Sequence, residues 1–513
     1  MENFNTDPAD RGIKVKKVSL VAGPLLAFIL LIFGDLDPEH PEITAMASVA
    51  LLMAFWWISE AIPLAATALL PIALFPILGI MPGKKAATLY FNHVIFLFLG
   101  GFIVALAMQK WNLHKRIALR LILLIGLSPQ RIILGFMAST AFLSMWISNT
   151  ATTMMMVPIA IAIILKMEET LTEKELHRFS LALLISIAYS ASIGGLATLI
   201  GTPPNLSFAR IYSIYFPNAP EITFASWFAF ALPLSIMFFF ITWTILVSLF
   251  RQSGAPGKVD KNILHKEYDS LGPIGYEEKI VFAVFSSMAF LWLTRKGVSI
   301  GGFTLSGWSS LLPKPNFADD GTVAIIMALL LFIIPAKRAS GERLMDWEAA
   351  KELPWGIVLL FGGGFALAGG FKESGLSAWV GTALSGLSAL NPIILIIIIC
   401  LAVTFLTELT SNTATTEMIL PILAGLAVAI KMNPLFLMIP ATLSASCAFM
   451  LPVATPPNAI IFGTGRIKIY EMARVGILLN IIGAVIITLA IFTTGKVVFG
   501  IDPAVFPECC LSK

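Results

Sequence analysis

Long apolar runs separated by short polar turns fill the chain between residues 18 and 495. Several runs extend for about 20 residues, which is the length that a helix needs to cross the hydrocarbon core of a bilayer. The pattern predicts an all-α polytopic membrane protein. The predicted apolar segments are 18–34, 44–62, 64–80, 92–109, 117–126, 132–165, 179–213, 226–250, 279–294, 321–336, 354–390, 392–430, 434–464 and 474–495.

Two polar motifs interrupt four of these segments, and each motif occurs twice. The hairpin motif, Ser-Asn-Thr, lies at 148–150 and 411–413, and the proline motif, Thr-Pro-Pro-Asn, lies at 202–205 and 455–458. Consecutive prolines lack amide donors, so a helix cannot run unbroken through them. Non-helical backbone at bilayer depth is tolerated only against protein or a water-filled cavity. We therefore predict re-entrant hairpins at 132–165 and 392–430 and broken helices at 179–213 and 434–464.

The composition agrees with a membrane protein and excludes a soluble or secreted one. Hydrophobic residues make up 58% of the 513 positions and charged residues only 12%, and the mean hydropathy is +0.88. A soluble domain carries about 25% charged residues. The small basic excess, 34 Lys and Arg against 30 Asp and Glu, falls in short loops. This distribution indicates the positive-inside bias of a membrane protein and does not favour a nucleic-acid surface.

The basic loops also orient the chain and divide it. They place an N-terminal segment, 1–17, in the cytoplasm, together with the most polar stretch of the chain, 251–278. This stretch is predicted to link a first half, 18–250, to a second half, 279–498. About 11 true spans fit if both hairpins are re-entrant, so the tail 499–513 is predicted to lie outside.

The two halves carry the same signals in the same order, which indicates an internal duplication. In each half a hydroxyl residue, Ser144 or Thr407, precedes the hairpin motif by four positions, and a proline, Pro158 or Pro421, follows it. If the first hairpin enters from the cytoplasm, the span count brings the second in from outside. Broken helices in corresponding positions of two inverted halves indicate the binding site of a secondary transporter.

The residue types at the motifs suit a cation and an anion together. Carbonyls freed before each proline motif, such as those of Gly201 and Ala454, are suitable ligands for Na⁺, and hydroxyl and amide oxygens can complete the shell. A helix that begins at a hairpin tip directs its amides and positive dipole end toward an anion. No Lys or Arg lies within ten residues of either hairpin motif. A dianion would therefore be neutralised by sodium ions and helix dipoles, which makes its affinity depend on sodium.

At these motifs, and at the segment Ser-Glu-Ala-Ile-Pro-Leu at 59–64, the sequence resembles the divalent anion:sodium symporter family. This family includes sodium–dicarboxylate cotransporters of the INDY type, and the resemblance covers nearly the whole chain. It implies a homodimer in which a scaffold domain holds the interface and a transport domain moves as an elevator. It also implies a multi-pass protein of the cell membrane. The absence of an external glycosylation sequon favours a bacterial inner membrane.

The resemblance further assigns residues to two sodium sites and a substrate site. One sodium site would use Ser144, Ser148, Asn149 and the carbonyl of Gly201. The second would use Thr407, Thr410, Asn412 and the carbonyl of Ala454, with Thr410 contributing through its backbone. The substrate carboxylates would meet Ser148, Asn149, Thr150, Thr202, Ser411, Asn412, Thr413 and Thr455. Sodium is expected as the co-transported ion.

Three acidic residues and a glycine run lie in apolar surroundings away from these assigned ligands. Carboxylates in a membrane are costly and often functional, and Glu408 could tune a cation site or carry a proton. For Glu60, Glu408 and Glu417 we nevertheless favour paired or interface-facing carboxylates. The run at 361–365, Phe-Gly-Gly-Gly-Phe, is expected to serve close helix packing.

Several functions fit this pattern to different degrees. The complete set of sodium-type ligands in both halves favours sodium-coupled symport of C4-dicarboxylates such as succinate, fumarate and malate. A dicarboxylate or citrate antiporter, or a sulfate carrier, on the same scaffold remains open. An intramembrane enzyme is disfavoured because the sequence lacks His-Glu-x-x-His, Gly-x-Ser-x-Gly and P-loop patterns. A channel is disfavoured because paired broken helices suit one occluded site.

Overall fold

The computed structural model describes residues 8–126, 128–169, 171–250, 261–300, 303–338 and 341–510. Within these ranges the fold is helical, apart from one short hairpin of strands β1, Val298–Ile300, and β2, Phe303–Leu305. The predicted all-α fold is therefore confirmed. Parts of three predicted segments, at 1–7, 251–260 and 511–513, lie outside the described residues.

Twelve α-helices form the first half of the described chain. They are α1 Pro8–Phe33, α2 Pro41–Ser59, α3 Leu64–Thr67, α4 Leu70–Ile77, α5 Gly83–Tyr90, α6 His93–Lys110, α7 Leu113–Ile125, α8 Pro129–Ser144, α9 Asn149–Met167, α10 Glu173–Leu196, α11 Pro203–Tyr215 and α12 Phe224–Leu249.

A further twelve α-helices follow in the rest of the described chain. They are α13 Lys261–Ser270, α14 Tyr276–Thr294, α15 Asp320–Ile333, α16 Trp347–Ala350, α17 Trp355–Glu373, α18 Leu376–Ala383, α19 Pro392–Thr407, α20 Asn412–Ala429, α21 Pro434–Ala445, α22 Pro456–Phe462, α23 Ile469–Ala490 and α24 Lys496–Phe499.

The four interrupted segments fold as the motifs predict. Helices α8 and α9 form a hairpin whose turn spans 145–148, and α19 and α20 form another whose turn spans 408–411. Helix α10 ends before an unwound stretch at 197–202 that leads into α11, and α21 ends before a longer one at 446–455 that leads into α22. The order of hairpin, break and following long helix is the same in both halves.

The two halves pack reciprocally around these breaks. Helix α9, which starts at the first hairpin motif, contacts α22, which starts at the second proline motif. Helix α20, which starts at the second hairpin motif, contacts α11 in the same way. Helix α10 is enclosed on every side, since the whole of its apolar window is buried within the protein. Each hairpin motif is thereby supported by the opposite half.

By length and apolar composition, nine helical stretches of the described chain could cross a membrane. This number differs from the predicted 11 because the criterion counts α9 and α20, which we assigned to hairpins, and leaves out α14 and the shorter apolar helices. Prolines also break the predicted segment 64–80 into α3 and α4, with Pro71 in the first turn of α4. The predicted linker contains a helix, α13.

Glycines let three helices approach α17 closely, as expected for the run at 361–365. A Cβ atom at Gly362 would lie 2.3 Å from the ring of Tyr90, and one at Gly363 would lie 2.4 Å from the carbonyl oxygen of Ala68. One at Gly364 would lie 2.0 Å from the carboxyl group of Glu417. Because a side chain would clash at each position, the prediction of close helix packing is confirmed.

Several charged residues near the helix ends form ion pairs in the described structure. Arg116 of α7 and Glu278 of α14 form a bidentate pair, with both N–O distances 3.1 Å, and both side chains are buried. Arg116 also donates to the carbonyl oxygen of Leu271 at 3.1 Å, so it fastens the first half to the turn between α13 and α14. In a loop, a hydrogen bond from Lys110 holds the pKa of Asp346 below its usual value.

We predict that Glu278→Gln lowers the thermal stability of the purified protein substantially. The change leaves the buried guanidinium of Arg116 without a counter-charge, and such a loss costs about 3–5 kcal/mol. The thermal midpoint in detergent would measure the effect. Glu348→Gln is the matched control because Glu348 and Lys351 form an exposed pair, 80% and 59% accessible, of a type that contributes about 0–1 kcal/mol. Equal midpoints for the two variants would contradict the prediction.

Candidate functional site

All four motifs lie at helix N-termini. Ser148 and Ser411 are the N-cap residues of α9 and α20, and Thr202 and Thr455 are those of α11 and α22. The prolines occupy the first turn of α11 and α22, where their missing amides leave no intrahelical bond unmade. The breaks therefore lie directly before the prolines, and no helix runs unbroken through either Pro-Pro pair, as the sequence predicts.

The first predicted sodium set comes together at the turn of the first hairpin. The hydroxyl of Ser144, at the end of α8, donates to the side-chain carbonyl Oδ1 of Asn149, at the start of α9. A Cβ atom built on Gly195 would lie 2.9 Å from this Oδ1 and 3.1 Å from the carbonyl oxygen of Gly201. Both oxygens therefore face one point beside Gly195, and the absence of a side chain there keeps the space open.

The backbone that carries Gly201 is held by Thr198 inside the unwound stretch. The Thr198 hydroxyl accepts from the amide of Gly201 at 3.0 Å and donates to the carbonyl oxygen of Met145 at 2.5 Å. Since Met145 lies in the hairpin turn, Thr198 joins the break directly to the hairpin. The sequence analysis did not single out Thr198.

The second predicted sodium set repeats the contact between a hydroxyl and an asparagine side chain. The hydroxyl of Thr407 donates to Oδ1 of Asn412 at 2.8 Å, as Ser144 does to Asn149 five positions along. It also contacts the carbonyl oxygen of Ala445 at 2.9 Å, at the end of α21. The Thr410 hydroxyl is engaged with Thr415 and with the Leu406 carbonyl. This leaves its backbone as the part available to an ion.

The predicted substrate residues differ in exposure. Ser148, Asn149, Thr150, Ser411 and Asn412 are half-buried at the two hairpin tips, whereas Thr202, Thr413 and Thr455 are buried. The Thr202 hydroxyl lies 3.4 Å from that of Ser446, in the opposite break, so one contact links the two breaks. Each hairpin tip therefore offers accessible oxygen and amide groups above a buried hydroxyl.

The last residue of each proline motif acts as a clamp on the unwound backbone. The amide of Asn205 donates to the carbonyl oxygens of Thr198, Gly195 and Leu196, at 2.7, 3.2 and 3.3 Å. The amide of Asn458 donates to those of Ala448 and Leu451, both at 3.1 Å. The sequence predicts no role for either asparagine, although the recurrence of Asn in both proline motifs could have indicated one.

At the second break, a carboxylate also binds the unwound backbone, and the described residues show no counterpart at the first break. The Glu408 carboxylate accepts from the amides of Phe449, Met450 and Leu451 at 2.8, 2.8 and 3.0 Å, and from the side chain of Asn480 at 2.8 Å. Tyr189 of α10 donates to the carbonyl of Phe449 at 2.5 Å.

Glu408 is therefore a bonded carboxylate that shapes the second break, in agreement with the favoured interpretation of this residue. Glu60 is also a paired carboxylate, but it lies at the surface. It ends α2 and pairs with Lys16 at 3.4 Å, with both side chains more than half exposed.

The basic residue nearest in sequence to the motifs does not contact them. Arg210 of α11 donates to the hydroxyl of Ser213, toward the far end of its helix. Four helix N-termini, a set of neutral oxygens and the Glu408 carboxylate at the second break thus define the electrostatics of the motifs. A separate cavity of about 140 Å³ lies beside α11, and its lining includes Tyr212, Glu221, His93 and Asp319.

Comparisons with known proteins agree with this architecture. The family model described as "Sodium:sulfate symporter transmembrane region" matches residues 19–501. The sodium-dependent dicarboxylate transporter SdcS from two strains of Staphylococcus aureus, bovine RF122 / ET3-1 and NCTC 8325 / PS 47, is 46% identical to this chain over 491 residues. The match covers 94% of this chain and 92% of the relative.

Two solved structures share the fold at low sequence identity. The Alcanivorax borkumensis YdaH transporter matches with a TM-score of 0.53 at 14% identity, covering 79% of this chain and 85% of its own. Neisseria gonorrhoeae MtrF, described as one of a class of antimetabolite efflux pumps, matches with a TM-score of 0.55 at 15% identity, covering 89% and 96%. These likenesses support a transporter-type helical fold.

We predict that Asn205→Leu and Asn458→Leu each weaken sodium binding by about tenfold, because loss of the clamp frees carbonyls in the break and lets Gly201 or Ala454 move. The measurement is the rise in thermal midpoint of the purified protein with increasing sodium, which reports binding to the folded state. Ser213→Ala, farther along α11, is the control. A sodium response identical to the unmodified protein in both variants would show that the clamps do not position the ligands.

Proposed function

The chain belongs to the sodium:sulfate symporter family, and from this premise we propose that it is a sodium-coupled symporter of C4-dicarboxylates such as succinate, fumarate and malate. The observation that carries the proposal is the repeated oxygen set at the two hairpin turns. In each half a hydroxyl contacts an asparagine Oδ1 beside an unwound stretch. The name of the SdcS relative, a sodium-dependent dicarboxylate transporter, supports the same ion and the same class of substrate.

Sodium is proposed as a co-transported ion at both hairpins. One ion would bind Ser144, Ser148, Asn149 and the Gly201 carbonyl, and the other Thr407, Thr410, Asn412 and the Ala454 carbonyl. Neutral hydroxyl, amide and backbone oxygens suit Na⁺ because they require no removal of a proton. The open point beside Gly195, faced by two of these oxygens, supports the first site.

The substrate is proposed to bind across the two hairpin tips. One carboxylate would meet Ser148, Asn149 and Thr150, and the other Ser411, Asn412 and Thr413, with Thr202 and Thr455 beneath. The N-termini of α9 and α20 would direct their amides and positive dipole ends toward the dianion. Sodium bound at the same asparagines would supply the remaining positive charge, so neither ligand would bind well alone.

Alternating access is proposed to follow from an inverted repeat. We infer that α8 to α12 and α19 to α23 form a transport domain, because these helices carry the motifs and pack across the halves. The remaining helices would form the scaffold of a homodimer, past which the transport domain moves as an elevator. We further propose about 11 spans with two re-entrant hairpins, a cytoplasmic N-terminus and a bacterial inner-membrane location.

We predict that purified protein in empty vesicles takes up radiolabelled succinate when external sodium is present, and does not when potassium or choline replaces it. The reason is that the dianion has no fixed cation at the proposed site. A parallel set of vesicles preloaded with succinate separates symport from exchange. Uptake confined to preloaded vesicles and indifferent to sodium would contradict the proposal and favour an exchanger. Uptake of citrate or sulfate in place of succinate would instead contradict the proposed substrate.

The site assignment is tested by Asn149→Ala and Asn412→Ala in the same assay. Each removes one neutral ligand, and the sodium concentration for half-maximal uptake should rise by about tenfold, the equivalent of about 1.4 kcal/mol. Asn391→Ala, which removes only the N-cap of α19, is the matched control. Unchanged sodium dependence in both site variants would show that the ions bind elsewhere.

A further inference from the structure

One buried acid, Glu417, lies close to the site without belonging to the proposed ligand sets. It is on α20, less than two turns beyond Ser411, and its side chain is fully buried. Helix α20 packs against α11, α17, α18, α19, α21 and α2. Glu417 is therefore surrounded by protein, directly behind the second hairpin motif.

The two carboxyl oxygens of Glu417 have different surroundings. Oε1 accepts a hydrogen bond from the hydroxyl of Ser207 on α11. Oε2 is buried and has no hydrogen-bond partner among the described residues. It faces Gly364 on α17, where a Cβ atom would lie only 2.0 Å from it. The carboxyl group thus occupies a close-fitting space that exists because residue 364 is glycine.

The charged and titratable side chains of the surrounding helices have other partners. On α11, Nη1 of Arg210 donates to Ser213, its Nε has no hydrogen-bond partner among the described residues, and Arg210 forms no described ion pair with Glu417. On α17, Lys372 donates to the carbonyl oxygens of Ile214 and Tyr215 while Glu373 pairs with Lys85. Glu42 of α2 pairs with His40.

The remaining titratable groups on these helices are neutral side chains. Tyr212 contacts Cys510, Tyr215 contacts Ser377 and Ala368, and Cys400 of α19 is a buried free thiol. Helices α18 and α21 carry no titratable side chain. No cation among the described residues thus offsets a charge on Glu417.

An ionised carboxylate in this position would be buried inside a membrane protein with one hydrogen bond and no counter-charge. Such a group is far less stable than the neutral acid, so a buried acid without a cation keeps its proton. The neutral acid is also the form better suited to the space beside Gly364, because burying an unpartnered neutral oxygen costs far less than burying an unpartnered charge. Glu417 differs here from Glu408, whose carboxylate accepts four hydrogen bonds.

We propose that Glu417 is a protonated, neutral positioning residue that joins α20 to α11 through Ser207 and so fixes the second hairpin motif against the first proline motif. Ser207 lies two residues beyond the proline motif at 202–205, and Glu417 lies four residues beyond the hairpin motif at 411–413. The bond therefore spans the two halves behind the substrate groups. The consequence of this bond for transport rests on the proposed function, whereas the protonation state of Glu417 does not.

The first repeat provides a matched comparison. When Ser148 is aligned with Ser411, Met154 occupies the position of Glu417. The side chain of Met154 is 60% exposed. A hairpin helix of this type therefore forms without an acid at that position. The acid in the second half serves a contact that is specific to the buried side of α20.

The experiment combines uptake with infrared spectroscopy of the same purified variants: Glu417→Gln, Glu417→Leu, Ser207→Ala and the control Met154→Gln. The amide of Glu417→Gln reproduces the size and hydrogen bonding of a neutral acid, so sodium-dependent succinate uptake should stay within about twofold of the unmodified protein. Glu417→Leu leaves Ser207 buried without a partner and should lower uptake by about tenfold. Met154→Gln should leave uptake unchanged.

The spectra test protonation without any transport. At neutral pH the unmodified protein should show a carbonyl-stretch band of a protonated carboxyl group that Glu417→Gln removes and Ser207→Ala shifts. Absence of such a band, or a band unaffected by either variant, would overturn the proposal. Uptake by Glu417→Gln as low as that of Glu417→Leu would also overturn it, because a charge or a moving proton would then be required. If the unmodified protein took up no dicarboxylate, the proposed function would fail while the spectra still decided the state of Glu417.

Discussion

Backbone groups released from a helix inside an apolar bundle must find donors, acceptors or ions within the protein, because bulk water is not available to them. The two unwound stretches, at 197–202 and 446–455, impose this requirement on the rest of the structure. Asn205 and Asn458 supply amides to the carbonyls at each break. Glu408 supplies a carboxylate to the freed amides of the second. These side chains satisfy part of the backbone and leave selected oxygens for the ions of the proposed site.

The same constraint explains why ion and substrate should depend on each other. The four N-caps, Ser148, Ser411, Thr202 and Thr455, begin helices that pack in pairs across the two halves. These dipole ends favour an anion, and the neutral oxygens beside them favour a cation. With Arg210 engaged at Ser213, we propose that the positive charge needed by a dianion comes from sodium. Coupling would then be a property of the binding site itself, and the proposed elevator motion would carry the fully loaded site across the membrane.

The sequence was sufficient for the elements that depend on local signals. The hairpins, the breaks and their repetition could be predicted because Ser-Asn-Thr and Thr-Pro-Pro-Asn determine the backbone structure of the few residues around them. Contacts between distant segments could not be predicted in this way. Three such contacts join residues far apart in the chain. They are the bond between Ser207 and Glu417, the close approach of Glu417 to Gly364, and the ion pair of Arg116 with Glu278.

The central claim is that the dianion binds through sodium, and equilibrium binding measures this without the complications of transport. Radiolabelled succinate would be titrated into purified protein at a series of sodium concentrations, with choline maintaining the ionic strength. The account predicts that the Kd for succinate falls steadily as sodium rises, and that succinate tightens sodium binding by the same factor, as linkage requires. A Kd for succinate that is the same in sodium and in choline would contradict it.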